Sequence, residues 1–340
     1  MSKYRVGVIG LVHDHVWDVV PGFLADSRSE LVAVADVNDS LVSQAKEKWD
    51  VENTFSCWRE MLEKVALDAV IVYTENSLGA DVVETAAAKG IHVMVEKPMA
   101  ATLEQADRML IAAYQAGITL MVNWPTAWSP NHATALRMAT EGEIGDIFKV
   151  RYRAAHQGPK ELGCTPYFYE WLFDKRRNGG GALIDYCCYG AAYAALLLGR
   201  PNAATAIGGR MIKDYITVED NAVILAQYHK GLAICEASWT THGFGYELMI
   251  NGTRGTIRSD GGGLQVADGS GQAPQDVKAQ PLPSEEASAA AHFLTCLEKK
   301  QTPAGLCNPV VSRDAQEILE AGVIAVETGS TVPFPVVSRQ

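Results

Sequence analysis

The sequence predicts an α/β chain in two parts. A doubly wound parallel sheet takes residues 1–122, and an α+β domain with a large open, mostly antiparallel sheet takes 123–340. Three observations predict this. Short apolar runs alternate with helical stripes as far as Val122, the pattern of strand–helix–strand crossovers. Beyond Asn123, prolines and aromatics crowd residues 124–130, and later runs alternate apolar with polar, as half-solvated antiparallel strands do. The first apolar run ends at Gly10 and the second closes on Asp36, a pairing suited to a nucleotide-binding sheet edge.

Residues 4–9 read as the first strand. Residues 16–25 follow as a helix with Val16, Val19, Val20 and Phe23 on one side, and Pro21 predicts a kink or an early end. Residues 31–35 are the second strand. Residues 40–49 are a helix faced by Leu41, Val42, Ala45 and Trp49, and 58–65 are another. A strand over 68–73, a helix over 77–89 stopped by Gly90, and a strand over 91–95 come next. Thr102 and Gln105 form a capping box for a helix carrying Leu103, Ala106, Met109, Leu110 and Ala113, ended by Gly117. Residues 118–122 complete the first sheet.

In the second part a helix covers about 131–141 and residues 142–145 make a turn. The antiparallel runs are 146–156, 203–212, 219–228, 231–240 and 245–251. Helices cover 183–198, 284–300 and 312–328, while 261–285, rich in Gly, Pro, Ser and Gln, read as a surface loop.

Composition narrows the function. The 340 residues are 48% hydrophobic and 20% charged, ordinary for a soluble globular protein. Forty acidic against 29 basic residues give a net charge of −11, which opposes a nucleic-acid partner. No run of about 18 apolar residues is expected to span a membrane, and residues 1–5 lead into a strand rather than a signal peptide. Seven cysteines without metal-ligand spacing read as reduced thiols of a cytoplasmic protein.

Two segments carry chemistry. Glu96-Lys97-Pro98 follows the apolar run 92–95, so Lys97 stands at the carboxyl edge of the parallel sheet, where open α/β folds bind their ligands. An ammonium there can hydrogen-bond or protonate an oxygen whose charge changes during hydride transfer. The second segment begins Gly179-Gly180-Gly181, three glycines that let a backbone come close to another group. Asp185 and Tyr189 follow on one helical face, offering a hydrogen-bond partner for a hydroxyl and a proton-handling phenol.

At the nucleotide end only Gly10 stands where the dinucleotide fingerprint needs glycine. Val12 and His15 occupy the second and third glycine positions. Asp36 can accept both ribose hydroxyls of an adenosine and would repel a 2′-phosphate, so NAD is favoured over NADP. His13 and His15 could donate to a pyrophosphate at the helix N-terminus or simply pack there, and Asp14 is expected to cap that helix. His13-Asp14-His15 also has metal-binding spacing, but the sequence places no third ligand, so no metal is expected.

In the order and separation of these motifs the chain resembles the glucose–fructose oxidoreductase, inositol dehydrogenase and rhizopine-catabolism (Gfo/Idh/MocA) family. The matching positions include Val6 to Gly10, Asp36, Asp68-Ala69-Val70 with Thr74 and Asn76, and Glu96-Lys97-Pro98. They continue through Asn123, residues 142–146, residues 179–185 and Gly252-Thr253-Arg254-Gly255. The resemblance implies a Rossmann domain and an open sheet that covers the nicotinamide and makes an oligomer interface, with the last helix packing back on the first domain. It implies that Lys97 polarises the reacting oxygen and that Asp185 is the family aspartate. The family histidine falls on Tyr189, a weaker base unless a cation such as Lys97 lowers its pKa. Glu75 stands where the family has proline.

The expected activity is hydride transfer between NAD and a sugar, polyol or sugar derivative. Lys97, Asp185 and Tyr189 are its expected catalytic residues. Gly10, Val12, His13, His15, Asp36, Thr74, Asn76, Glu96, Lys97 and Asn123 form the cofactor site, and His156, Tyr167, Trp171, Arg176 and His242 the substrate wall. A homo-oligomer, dimer or tetramer, is expected. A dinucleotide-binding sugar sensor without turnover, and an NAD-dependent glycoside-cleaving enzyme with no net redox change, stay open at this point.

Overall fold

The structure, a computed structural model, describes residues 3–339. Its first sheet is built from β1 (Tyr4–Ile9), β2 (Ser29–Ala35), β3 (Asn53–Phe55), β4 (Ala69–Val72), β5 (His92–Glu96) and β6 (Leu120–Asn123). All neighbours are parallel, in the order β3-β2-β1-β4-β5-β6. Helices α1 (Val16–Ala25), α2 (Asp39–Trp49), α3 (Trp58–Lys64), α4 (Gly79–Ala87) and α5 (Leu103–Ala116) connect the strands. β4 and β6 are buried along their whole length, which is why they read as unbroken apolar runs. The carboxyl ends of β1 and β4 to β6 open on one edge, and Gly10, Thr74, Lys97 and Asn123 lie there.

Local rules account for most boundaries. The Thr102 hydroxyl accepts from Gln105 N at 3.3 Å, while the Gln105 side-chain Oε1 accepts from Ala101 N, one residue earlier than a reciprocal box requires. Gly117 ends α5 in the left-handed conformation. Two expectations need correction. Helix α1 runs on through Pro21, which lies on the solvent side where the carbonyl it leaves without a donor can be hydrated. The short edge strand β3 joins the sheet beside β2, although its sequence carries no apolar run.

The second half begins with α6 (Pro130–Thr140), β7 (Ile147–Ala155), α7 (Pro166–Leu172), α8 (Lys175–Asn178) and α9 (Ala182–Leu198). Strands β8 (Ala203–Gly209), β9 (Asn221–Tyr228), β10 (Gly231–Ser238), β11 (Tyr246–Gly252), β12 (Thr256–Asp260), β13 (Gly263–Ala267) and β14 (Gln275–Val277) follow. The chain closes with α10 (Ala289–Lys299), α11 (Pro309–Thr328) and the two-residue β15 (Val332–Pro333). The sheet order is β14-β13-β12-β11-β7-β10-β9-β8-β15, with β7 and β10 parallel and the other neighbours antiparallel. The stretch expected as a loop over 261–285 therefore contains β13 and β14, whose turn-rich flanks hide their short alternation.

One face of this sheet carries α9. Ala222, Ile224, Ala226 and Tyr228 of β9 point inward, and Val223 and Leu225 outward. The stretch Lys175–Leu198 is long and apolar enough to cross a membrane by length and composition, but 83% of its most apolar window is buried, which fits a core helix. Helix α11 is capped by Asn308, whose side chain accepts from Val310 N and Val311 N. It packs on α9 and also meets α5, where Arg313 pairs with Asp107 and the Glu320 carboxylate accepts from Leu103 N.

Candidate active site

The turn after β5 and the start of α9 meet because glycine lets them. A Cβ on Gly179 would stand 2.1 Å from the Ala101 carbonyl oxygen, and one on Gly181 would stand 2.2 Å from the Glu219 carbonyl oxygen. Glu219 also accepts from Gly181 N at 2.6 Å and Leu183 N at 3.1 Å, capping the start of α9. That junction puts Asp185, in the first turn of α9, against Lys97.

Lys97 Nζ donates to Asp185 Oδ1 at 2.8 Å and to the Asp185 carbonyl at 3.3 Å, and Trp239 Nε1 donates to Asp185 Oδ2 at 3.2 Å. Both residues of the pair are buried. Burial works to lower the Lys97 pKa, but Asp185, with Tyr189 and Cys188 nearby, holds it well above the ordinary lysine value. Lys97 is therefore an ammonium at neutral pH. The Tyr189 ring lies beneath it, with Nζ 5.1 Å from the ring centroid. Burial drives the Tyr189 phenol upward more than Lys97 lowers it, so the expected lowering by Lys97 does not prevail.

This pair sits in the wall of a cavity of about 410 Å³. The lining includes His15, Thr126, His132, His156, Phe168, Tyr186, Tyr189 and Tyr246. Burial pushes His132 and His156 down to about 4, so both imidazoles are neutral at pH 7. His156 Nδ1 accepts from Gly158 N at 2.8 Å, and the Tyr186 and Tyr246 hydroxyls meet at 2.9 Å.

Of the five residues expected to wall the substrate, His156 lines this cavity and the others lie elsewhere. The Arg176 side chain is 93% exposed and His242 is exposed, and neither lines the cavity. Trp171 is buried beside His13 and Phe168. Tyr167 reaches across to α2, its hydroxyl 2.7 Å from Ser40 Oγ. The sequence reading missed His132, Phe168, Tyr186 and Tyr246. Tyr186 adjoins Asp185 and could have been found by that adjacency, but His132 and Tyr246 carry no signal beyond their element patterns.

At the nucleotide end, Gly10 has φ +82°, and a Cβ there would stand 2.6 Å from Thr74 N. The N-terminus of α1 has no side-chain cap, and Asp36 closes β2 beside it. Asp14 instead accepts from Thr165 N at 2.8 Å and from the Thr165 hydroxyl at 2.6 Å, which corrects its expected role as the cap of α1. Asp36 accepts from Leu11 N at 2.6 Å and from Asn38 N and Nδ2 at 2.7 Å, leaving its other lone pairs for hydroxyls. The close turn, the uncapped helix end and the acidic strand end fit a dinucleotide. Thr74 donates to the Glu75 carbonyl, and Asn76 Nδ2 donates to Asn178 Oδ1 at 2.8 Å, tying the edge of the first sheet to the Gly179 junction.

His13 is buried, and burial together with His15 and Lys97 keeps it neutral. His15 turns its Nδ1 to Glu96, 3.1 Å from Oε1. Glu96 Oε2 accepts from Asn123 Nδ2 at 2.6 Å, and Asn123 Oδ1 accepts from Trp128 Nε1 at 2.8 Å. Ligand-type atoms of His13, His15 and Glu96 lie within 4.8 Å of one another, so Glu96 is the third donor the sequence did not place. The group is already hydrogen-bonded, and Lys97 bears on it electrostatically, so a cation there would meet repulsion.

The fold and this site define a dinucleotide-binding α/β oxidoreductase architecture with its ligand edge covered by a second sheet. The oxidoreductase family with an NAD-binding Rossmann fold matches residues 4–124, and the GFO/IDH/MocA C-terminal domain matches residues 132–258. The chain belongs to the Gfo/Idh/MocA family. A levoglucosan dehydrogenase of Pseudarthrobacter phenanthrenivorans is 27% identical over 80% of this chain and 78% of that protein. A myo-inositol 2-dehydrogenase of Thermotoga maritima is 23% identical over 75% of each. The solved structure of a levoglucosan dehydrogenase in complex with NADH superposes with a TM-score of 0.84 at 24% identity, covering 99% of this chain and all of that one.

Proposed function

We propose that this chain oxidises a secondary alcohol, or the anomeric carbon, of an uncharged sugar or polyol, with NAD as hydride acceptor. The observation that carries the reading is the buried Lys97–Asp185 pair in the wall of an aromatic cavity. When bound, the nicotinamide supplies the carbon that takes the hydride. Lys97 donates to the substrate oxygen and stabilises the negative charge that develops on it. Asp185, fixed by Trp239, holds the ammonium in place and orients a neighbouring hydroxyl. The rings of Tyr186, Tyr189, Tyr246 and Phe168 suit the apolar faces of a sugar.

The cavity also argues for a neutral substrate. Among the described residues, its lining holds one lysine, Lys97, already paired, and no arginine, and His132 and His156 are neutral. A sugar acid or sugar phosphate would bring a charge with no free cation to meet it. The names of the dehydrogenase relatives support the same substrate class. Asp36 supports NAD over NADP. We also propose a cytoplasmic homo-oligomer. The outer face of the second sheet exposes Ile207, Val223, Leu225 and Leu232 together, a patch that a second copy would cover.

The test begins by denaturing the purified protein and assaying the released dinucleotide, then titrating the stripped protein with NADH and NADPH. Neutral monosaccharides, polyols, sugar acids and sugar phosphates are then screened for NADH formation. Binding of NADH over NADPH with turnover of a neutral substrate is expected. Failure of both dinucleotides to bind would overturn the reading.

A further inference from the structure

If Lys97 stays an ammonium, the proton of the substrate hydroxyl must go to another group. We propose that His15, held by Glu96, is the residue that accepts it. This inference rests on the oxidoreductase reading above.

The other candidates in the cavity are less well placed to take it. Asp185 accepts from Lys97 and Trp239, one bond on each oxygen, and its remaining lone pairs orient a substrate hydroxyl while it holds the ammonium. Tyr186 and Tyr246 bond each other. Tyr189 turns its ring face to the ammonium and stays protonated. His156 accepts from Gly158 N at Nδ1, which leaves the proton on Nε2 and no free lone pair. His132 is paired with no carboxylate, and its Nδ1 is buried without a partner.

His15 differs from all of these. Its Nδ1 faces a carboxylate, Glu96 Oε1, at 3.1 Å, while its side chain is 35% exposed and lines the cavity with Lys97. A carboxylate at Nδ1 fixes the proton there and leaves Nε2 as the acceptor. The carboxylate is itself oriented, since Asn123 donates to its other oxygen and Trp128 donates to Asn123. The relay Trp128–Asn123–Glu96–His15 gives the buried Asn123 a positioning role. The groups that face His15 are His13 at 4.6 Å between ring centroids, Phe168 at 6.4 Å, Glu96 and, across the cavity lining, Lys97. In the step, the substrate O–H bond breaks and its proton passes to Nε2. The C–H bond breaks with both electrons, which leave with the hydrogen to NAD+, and C–OH becomes C=O.

The test uses the full-length protein and three readouts. Long-range 1H–15N spectra of the wild type should show His15 as the Nδ1–H tautomer, and an Nε2–H tautomer would overturn the assignment. His15→Ala should lower kcat by about 100-fold or more, the usual worth of a general base. It should also regain turnover with added imidazole. Glu96→Gln should lower kcat in the same direction with the protein shape kept. NADH affinity should stay within about threefold in both variants. Retained kcat in His15→Ala overturns the assignment alone. So does a loss that follows NADH affinity and is not rescued by imidazole, which would place His15 in the cofactor site. A wild type that turns over no neutral sugar or polyol overturns the oxidoreductase reading, and this assignment with it.

Discussion

At the candidate catalytic end, Lys97 and Asp185 are both buried, and each is held by more than one contact. At the nucleotide end, Val12 and His15 stand where glycine ordinarily lets a pyrophosphate approach, and Gly10 alone keeps the expected residue. In the first region, loss of either partner of the buried ion pair would leave an uncompensated buried charge. The second depends less on side chains, because backbone N–H groups do most of the anion binding at a helix N-terminus. Side chains there are free to take other roles provided Gly10 keeps the turn closed.

The sharpest way to break this contrast is Lys97→Met. It should reduce kcat by more than about 100-fold while NADH binding persists. It should also cost about 3–5 kcal/mol of stability, because Asp185 is left buried without its cation. Stopped assays, NADH fluorescence titration and urea melts check the three parts. Turnover above about a tenth of the parent would remove Lys97 from the chemistry.

Gly10→Ala attacks the other end. The backbone at φ +82° and the 2.6 Å approach to Thr74 N mean that the new Cβ must displace the turn. Strain of about 1–3 kcal/mol should weaken NADH binding by about tenfold or more. Val12→Gly, which restores a fingerprint glycine, should change affinity less. Titration of both variants with NADH compares them directly, and equal affinities would mean that the turn does not hold the cofactor.

The cavity imidazoles give a pH prediction. His132 and His156 have folded pKa values of about 4 against an ordinary 6.5. The unfolded chain therefore takes up protons first as pH falls. Their contribution to stability is complete above about pH 6.5 and is lost on the way down to about 4. Glu317, held below the ordinary carboxylate value despite its burial by Arg200, Val336 N and Arg313, adds a loss of the same sign at lower pH. Thermal melts between pH 7.5 and 4.5 should show Tm falling, and His132→Phe should flatten part of the slope. A Tm that is level or rises across that range would contradict the burial of these rings.

Much of this was legible in sequence because it rests on short-range physics. The period of the apolar residues marks the first sheet, Thr102 and Gly117 mark the ends of α5, and Glu96-Lys97-Pro98 and Gly179 to Asp185 mark two sides of the candidate cleft. What was not legible depends on distant partners. Asp14 looks like a helix cap until Thr165 is brought to it. Arg176 and His242 look like sugar ligands until the fold turns them to solvent. The pairing of His15 with Glu96 joins residues 81 positions apart, and no local pattern announces it. Residues 275–277 form a strand only because β13 offers them an edge.

The smallest expected effect is also the most discriminating between the two ends of the cleft. The family resemblance sets Tyr189 against a histidine, and its phenol invites a proton-transfer role. The structure places its ring, rather than its hydroxyl, against the Lys97 ammonium, and stacks it at 5.6 Å on Tyr152. Phenylalanine keeps both the cation–π face and the stacking surface. Tyr189→Phe should therefore reduce kcat by less than about tenfold, since the loss of a hydroxyl that is not the base removes at most one hydrogen bond of about 1 kcal/mol. Tyr189→Leu, which removes the ring face, should cost more in both kcat and Tm. Steady-state kinetics on the two variants separate the roles. A drop of 100-fold or more in Tyr189→Phe, about what a general base contributes, would return the proton to the phenol and make His15 a bystander.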